Sequence, residues 1–531
     1  MLETTYGRGG LVTAPHHLAA QAGLDILKAG GHAVEAAVAT AAALAVVYPH
    51  MTGIGGDGFW MIAEPGRTPI AIDSCGRAAS LATLDAYADQ RLTSIPTRGP
   101  WAANTVAGTV AGWGAALDAA QHWGTGLPRR RLLEAAIGYA RDGFAVTRSQ
   151  SVITRLKQPE LELQPGFART FLPDGRAPSE GDLLRLPDLA STLEELGHNG
   201  FDSFYRGDLA RTLARALQQV GSPLRLADLE AHRPLVTAPL SLQVGGARLF
   251  NLPPPTQGIA SLMILGIFDR LGVTEAEGFA HIHGLVEATK QAFLIRDLHV
   301  GDPDHMTVAT ADLLDPTLLD RLAARIDRAR ALPWPAQPSG GDTVWFGVCD
   351  AKGRSVSMIQ SIYFEYGSGV VLPDTGIAWQ NRGASFRLAA AGWNCLKPGR
   401  RPFHTLNPAM AAFDDGRHMA YGTMGGEGQP QTQAALFSRY GWFGTPLQRA
   451  VTAPRWLLGR TWGSTSTSLK MESRFDPSLM EGLARLGHDV EEIGVPYSDG
   501  MGHAGMLVKH PRDGRVEATH DPRSDGGAAG I

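Results

Sequence analysis

Interleaved helical and strand patterns predict a mixed α+β fold, and three observations support that reading. Residues 16–29 and 33–47 place apolar side chains at helical spacing, split by Gly30 and Gly31 acting as C-cap and restart. The glycine loop in TGIGGDGFWMIAE (52–64) leads into an apolar strand from Phe59 to Ala63. TVWFGVCD (343–350), a DAKG turn and RSVSMIQS (354–361) read as a β-hairpin. Between these, residues 108–145 carry a helical pattern that closes with ARDGFAV (140–146), and 208–218 and 224–231 are further helices. LFNLPPPTQGIASLMIL (249–265) reads as a strand, a proline-stiffened turn and the start of a buried helix. Residues 279–297 form a long helix ending in the charged stretch Lys290 to Asp297. No internal repeat is visible. At 531 residues the chain exceeds one simple core, so several folding units or one intertwined unit are expected.

Composition narrows the function classes. The chain is 44% hydrophobic and 19% charged, as soluble globular proteins are. Its formal net charge of −4 gives no long-range attraction to nucleic acid or an anionic membrane, and neither is expected as a partner. Cys75, Cys349 and Cys395 are odd in number and far apart, with no CxxC or Cys/His spacing, so neither a disulfide framework nor a zinc site is indicated. No metal or organic cofactor is implied. The N-terminal residues lack the apolar core of a secretory signal, and the most apolar run, Ala36 to Val47, falls short of the roughly twenty residues that span a bilayer. A cytoplasmic protein is expected.

The sharpest discontinuity is ALPWPAQPSGG (331–341), an uncharged, proline-rich linker that runs straight into the hairpin strand. That is poor placement for a domain boundary and good placement for a cut that leaves Thr343 as a new N-terminus. A threonine hydroxyl needs a base within hydrogen-bond reach. In an N-terminal threonine the α-amine, with a pKa of about 8, is held there by covalent geometry. Before cleavage the same hydroxyl can attack the Asp342 carbonyl, and Gly340 and Gly341 permit the strained backbone such an acyl shift demands. In isolation, a threonine after Gly-Gly-Asp is only a strand start; the surrounding motifs decide.

GGDTVWFGVCDAKGRSVSMIQS resembles the nucleophile segment of the γ-glutamyltranspeptidases, which are N-terminal-nucleophile hydrolases. The likeness extends, in family order, through GIGGDGF (53–59), NTVAGTVAGW (104–113), ARDGFAV (140–146), LPPPTQG (252–258), EATKQAFLIRD (287–297), GDPD (301–304), RPFHTLNPAM (401–410), GTMGGEG (422–428) and DPRSDG (521–526). It implies a four-layer αββα sandwich. It also implies a precursor whose residues 1–342 become a large chain and 343–531 a small one, the two staying together as one intertwined heterodimer or a dimer of heterodimers. By the same resemblance Thr343 is the nucleophile, Ser361 a second hydroxyl beside it, and Gly425 and Gly426 the backbone donors of the oxyanion hole. GTMGGEG lacks the Gly-Lys-Ser/Thr ending of a phosphate loop, and GIGGDGF precedes a strand where a dinucleotide fingerprint follows one.

The substrate pocket departs from the family pattern. Tyr363 stands where an asparagine is usual, Arg382 where a glutamine is usual and Ser385 where an aspartate is usual, so acceptors for a substrate ammonium are gone and a cation has been added. Arginine suits a carboxylate through its two-pronged donor geometry, and both Arg382 and Arg77 are candidates for that clamp. His404 and Thr405 fall where two serines usually meet the substrate carboxylate. The segment from Phe386 to Arg401 looks shorter than the family's lid loop, which implies a more open pocket. These changes resemble the oxamate amidohydrolase branch and imply hydrolysis of a small acidic amide without an α-amine. A glutathione hydrolase or γ-glutamyltransferase, an acylase on glutaryl-type (cephalosporin) side chains, and an inert scaffold that never matures are the alternatives.

Overall fold

The computed structural model describes residues 2–124, 126–334, 342–459 and 466–531, with Asp342 described by its backbone. Gly340 and Gly341 lie outside the described residues. Two seven-stranded antiparallel sheets form the centre. In the first, the strands run in the order Gly527–Gly530, Gly10–Ala14, Asp342–Asp350, Ser355–Tyr363, Asp57–Ala63, Ile70–Ser74 and Leu235–Thr237. In the second the order is Thr5–Gly7, Val516–Ala518, Ala504–Lys509, His418–Thr423, Ala409–Phe413, Ala247–Asn251 and Leu240–Val244.

Alternation of side chains along each strand sorts the core into layers. Val344, Phe346, Val348, Val356 and Met358 pack on one helical layer, which includes Ala33–Val47, buried along its whole length. Their strand neighbours Trp345 and Ile359, with Phe59 and Met61, turn the other way and meet Phe250, Met410 and Ala420 of the second sheet. The outer face of that sheet, through Leu249, Ala411, Met419 and Tyr421, packs on the helices Gly258–Asp269, Phe279–His299 and Gly428–Phe437. Helix, sheet, sheet, helix is the four-layer sandwich that the resemblance implied.

The local expectations hold with one correction. Helices occupy His17–Lys28, Asp208–Gln219 and Leu226–Ala231, and the hairpin pairs Asp342–Asp350 with Ser355–Tyr363. The stretch 108–145 is two helices, Thr109–Ala119 and Arg129–Asp142, because Gly124, at φ 125°, and the extended Pro128 interrupt the helical pattern. All three cysteines are free and buried. Among the described residues no helix is long and apolar enough to cross a membrane.

Trp345 wedges between the sheets. Its indole donates to the Ser357 hydroxyl at 2.9 Å, and a Cβ placed on Gly422 or Gly505 would lie 2.2 or 2.3 Å from the ring, so only glycine fits at either position. Replacing Trp345 by Ala should destabilise the protein by about 3–5 kcal/mol, read as a lower denaturant midpoint with an unchanged slope. A shift within error would show that the two sheets close without it.

Candidate active site

The alternation that puts Trp345 between the sheets puts Thr343 there too, at the strand's first turn out of the linker. Asp342 pairs with Tyr363 and Val344 with Gln360, so Thr343 alone stands opposite both Ser361 and Ile362. This is a β-bulge, a device that re-aims a side chain next to a site. Ser361 in turn pairs with Asp57 of the next strand, so Thr343, Ser361 and Asp57 form a row across three strands on the face turned to the second sheet. Thr343 is 1% exposed, and its Oγ1 has no hydrogen-bond partner among the described residues. Ser361 Oγ accepts the Tyr363 N–H at 2.8 Å.

Tyr363 ends its strand at φ 81°, a left-handed conformation uncommon for a non-glycine residue and costly unless its surroundings enforce it. There its ring lies under Arg382, with the guanidinium carbon 3.4 Å from the ring centroid. Arg382, 1% exposed, donates through Nη1 to the Phe403 carbonyl at 3.2 Å and the Thr405 hydroxyl at 3.4 Å. Among the described residues its buried Nε and Nη2 have no hydrogen-bond acceptor within geometric reach, Tyr363 being their neighbour. Burial weakens its hold on the proton, and the nearby Tyr363 and Asp57 oppose that. A buried guanidinium with one edge unpaired is expensive to keep, and a carboxylate set against that edge removes the expense.

Asp57, fully buried, balances the charge. Its Oδ1 accepts from the Gly76 N–H at 3.0 Å, the Gly108 N–H at 3.2 Å and Gln380 Nε2 at 3.0 Å, and its Oδ2 faces His404 Nε2 at 3.1 Å. Burial pushes this carboxyl up to about 7, against the pull of Gln380, Gly76 and Arg382. The His404 ring is used on both sides, because Nδ1 accepts the Leu406 N–H at 3.3 Å while Nε2–H points at Asp57. Burial and Arg382 keep the ring neutral. Asp57, Cys75 and His404 stand close enough to suggest a cation cradle, but their ligand atoms are already committed to one another or to backbone.

The second sheet supplies the other wall. Gly425 and Gly426 follow the strand His418–Thr423 at φ 116° and 52°, conformations that favour glycine. Their N–H groups have no hydrogen-bond partner among the described residues. Gln257 fastens this loop, its Nε2 donating to the Gly426 and Thr405 carbonyls at 2.8 Å each, and Arg296 Nη1 donates to the Gln257 side-chain Oε1 at 2.9 Å. Contacts therefore link the Gly425–Gly426 loop to Thr405, Arg382, Tyr363 and Ser361 in one continuous chain.

Of the residues singled out from sequence, only Arg77 is set apart. It is half-exposed, bonded to the Gly399 carbonyl at 2.9 Å and to Asp304 at 3.7 Å. Its backbone is pinned by Val106 and the side chain turns outward, while Cys75, two residues earlier, is the one buried beside Asp57 and His404. His404, expected to meet the substrate, has both ring nitrogens engaged, Nδ1 by the Leu406 N–H and Nε2 by Asp57. Ser385, half-buried, reaches only the Phe403 carbonyl at 3.5 Å. The segment 386–401 is pinned, Asn394 bridging the Ser385 carbonyl and the Phe403 N–H, and Arg382 lies under cover where an open pocket was expected. Asp57, Gln257 and Gln380 were not singled out. Nor was Arg401, buried between Asp73 and Asp302 at 3.1 and 3.0 Å, which ties the RPFHT segment to GDPD.

The γ-glutamyltranspeptidase family model matches residues 19–531. The chain belongs to the γ-glutamyltranspeptidase family. It is 56% identical over 522 residues to the oxamate amidohydrolase proenzyme of Klebsiella pneumoniae, with 98% of each chain covered. It is 40% identical to the glutathione hydrolase-like YwrD proenzyme of Bacillus subtilis over the full length of both. Among solved structures, the cephalosporin acylase from Bacillus halodurans superposes with a TM-score of 0.92 at 32% identity, covering 100% of this chain and 97% of that one. As a member of this family the chain is a hydrolase of the N-terminal-nucleophile type acting on amides.

Asp57 binds its proton more tightly folded than unfolded. Stability should therefore fall as pH rises from about 4 to about 7 and level off above that. Relative to wild type, Asp57→Asn should gain stability over the same window, measured as denaturant midpoints from pH 4 to 9. A difference that does not change with pH would show that the carboxyl titrates normally.

Proposed function

We propose that the chain is a self-cleaving amidohydrolase that uses Thr343 to hydrolyse a small amide bearing a carboxylate and no α-amine, oxamate above all. The observation that carries this reading is the free edge of Arg382. A buried guanidinium pair of donors awaits an anion, no acidic side chain stands at 382 or 385 to receive an ammonium, and Asp57 already has four donors. Arg382 would repel a glutamyl ammonium and attract a carboxylate. The 56% identical relative named an oxamate amidohydrolase proenzyme supports the same substrate class.

In maturation, Thr343 Oγ attacks the Asp342 carbonyl carbon. The peptide C–N bond breaks as the ester C–O bond forms, and water then opens the ester to leave the Asp342 carboxylate and a free Thr343 amine. In turnover that amine takes the hydroxyl proton as Oγ adds to the substrate amide carbon. The resulting oxyanion faces the Gly425 and Gly426 N–H groups, and collapse expels ammonia carrying the proton back. Water then hydrolyses the acyl ester, so oxamate and water yield oxalate and ammonia. Arg382 and Thr405 hold the substrate carboxylate, Tyr363 supports the guanidinium from below, and Asp57 with His404 keeps the wall behind it in place. The two products of maturation stay together as a heterodimer.

Wild-type precursor should resolve on a denaturing gel into chains of about 36 and 20 kDa from 56.5 kDa, whereas Thr343→Ala should stay full length and inactive. A Thr343→Ala protein that still matures and turns over amides refutes the nucleophile. Oxamate should be cleaved in strong preference to γ-glutamyl-p-nitroanilide. Arg382→Gln should lower kcat/KM for oxamate by about 10- to 100-fold, the value of a charge-assisted pair. An unchanged kcat/KM, or a preference for the glutamyl or a glutaryl amide, overturns the substrate assignment in favour of glutathione hydrolysis or acylase chemistry.

A further inference from the structure

One buried glutamine ties together two groups that the chemistry above uses separately. Gln257, 0% exposed, directs Nε2 at the Gly426 and Thr405 carbonyls, 2.8 Å from each. A single amide nitrogen thus joins the Gly425–Gly426 loop to Thr405, whose hydroxyl meets Arg382. Chemistry fixes which way round this amide lies. The two carbonyls can only accept, so the nitrogen must face them, and a guanidinium can only donate, so the oxygen must face Arg296. Arg296, 1% exposed, is itself locked. Its guanidinium lies 3.8 Å from the centre of the Phe293 ring and pairs with Asp297 at 2.7 Å and with Glu427, next to Gly426, at 3.4 Å. The Gln257 backbone is held as well, since its N–H donates to the His404 carbonyl at 2.9 Å and the His404 N–H donates to the Pro255 carbonyl at 2.9 Å. Thr256 and His404 are therefore paired backbone to backbone, and the Gln257 side chain reaches from that pair to the loop of the second sheet.

We propose that Gln257, oriented by Arg296, is a positioning residue that sets the length of substrate the site accepts. It does so by holding the Gly425–Gly426 loop at a fixed separation from the grip of Arg382 and Thr405. This rests on the reading of Arg382 as the carboxylate clamp and of Gly425 and Gly426 as the oxyanion donors. In oxamate the attacked carbon is bonded directly to the carboxylate carbon, so the developing oxyanion and the carboxylate move as one short, stiff unit. Both are satisfied at once only if loop and grip stand at the matching distance, and a misplacement of about 1 Å costs on the order of 100-fold in rate. A methylene between the two carbons, as in malonamate, adds a rotatable bond that absorbs such an error. Cutting the brace lets loop and grip drift apart, which penalises the short amide more than the longer one.

The experiment compares kcat/KM for oxamate and for malonamate, read as ammonia release, in wild type, Gln257→Glu and Gln257→Met. Glutamate keeps the size of the side chain and a partner for Arg296 but turns only acceptors toward the two carbonyls. Methionine keeps the length and removes every polar bond. In both variants kcat/KM for oxamate should fall by about tenfold or more while that for malonamate changes by less than about threefold, so the ratio of the two drops. That ratio belongs to the active molecules alone, so slow maturation or partial misfolding scales both rates together and leaves it where it was. An unchanged ratio, or equal loss of both activities in both variants, overturns the brace and leaves Gln257 a support of the fold. If Gln257→Glu yields no mature protein, Gln257→Met decides by the same ratio. A wild type that prefers malonamate sinks the oxamate assignment, and the brace with it, whereas an oxamate preference shared undiminished by the variants sinks the brace alone.

Discussion

Everything at this site depends on the pleat of three neighbouring strands. Because side chains alternate along a strand, a slip of one residue in the hairpin would turn Thr343 from the space between the sheets into the helical layer and carry Trp345 with it. The register is held from both directions. Trp345 fits a slot that only Gly422 and Gly505 leave open, and Val344, Phe346 and Val348 fill the helical side. The bulge at Thr343 is the one place where the ladder departs from regular pairing. A strongly specified strand thereby delivers one buried residue off the regular ladder, Thr343, to the face turned toward the second sheet.

Charge in the pocket is arranged as an incomplete pair. Arg382 and Asp57 face each other without a direct hydrogen bond, Asp57 saturated by four donors and Arg382 left with a free edge. In a low-dielectric interior that asymmetry is a standing cost, and it is tolerable because the cation rests on the Tyr363 ring and two oxygen acceptors. The strained backbone of Tyr363 belongs to the same arrangement, since its positive φ places the ring beneath the guanidinium.

Much of this was legible in the sequence because it is local. The hairpin, the buried helix 33–47, the glycine pair and the oddity of Arg382 in QNRGASF all show in short windows. What escaped was set by pairing between distant segments. Asp57 sits in a run that reads as a glycine loop, and only the register Ser361–Asp57 and the partner His404 reveal it as part of the pocket. His404 looked like a contact residue, because no sequence pattern shows both ring nitrogens already engaged. Arg77 was one of two candidate arginines, drawn from the region where the family carries its own, yet the backbone bonds of residues 76–78 turn it outward and give the buried place to Cys75. The helix read across 108–145 failed for a simpler reason, since Gly124 and Pro128 lie in plain view and a continuous apolar pattern outweighed them.

The strand order of the first sheet has a consequence for the partnership of the two chains. The strands 342–350 and 355–363 lie between Gly10–Ala14 on one side and Asp57–Ala63 on the other, and Gly527–Gly530 borders Gly10–Ala14 in turn. Any cut before residue 343 therefore leaves two polypeptides laced through each other three times in a single hydrogen-bonded ladder. Parting them would mean unzipping every one of those seams and exposing the aromatic wedge between the sheets, which amounts to unfolding. Such chains do not trade partners: each molecule keeps for life the half it was translated with.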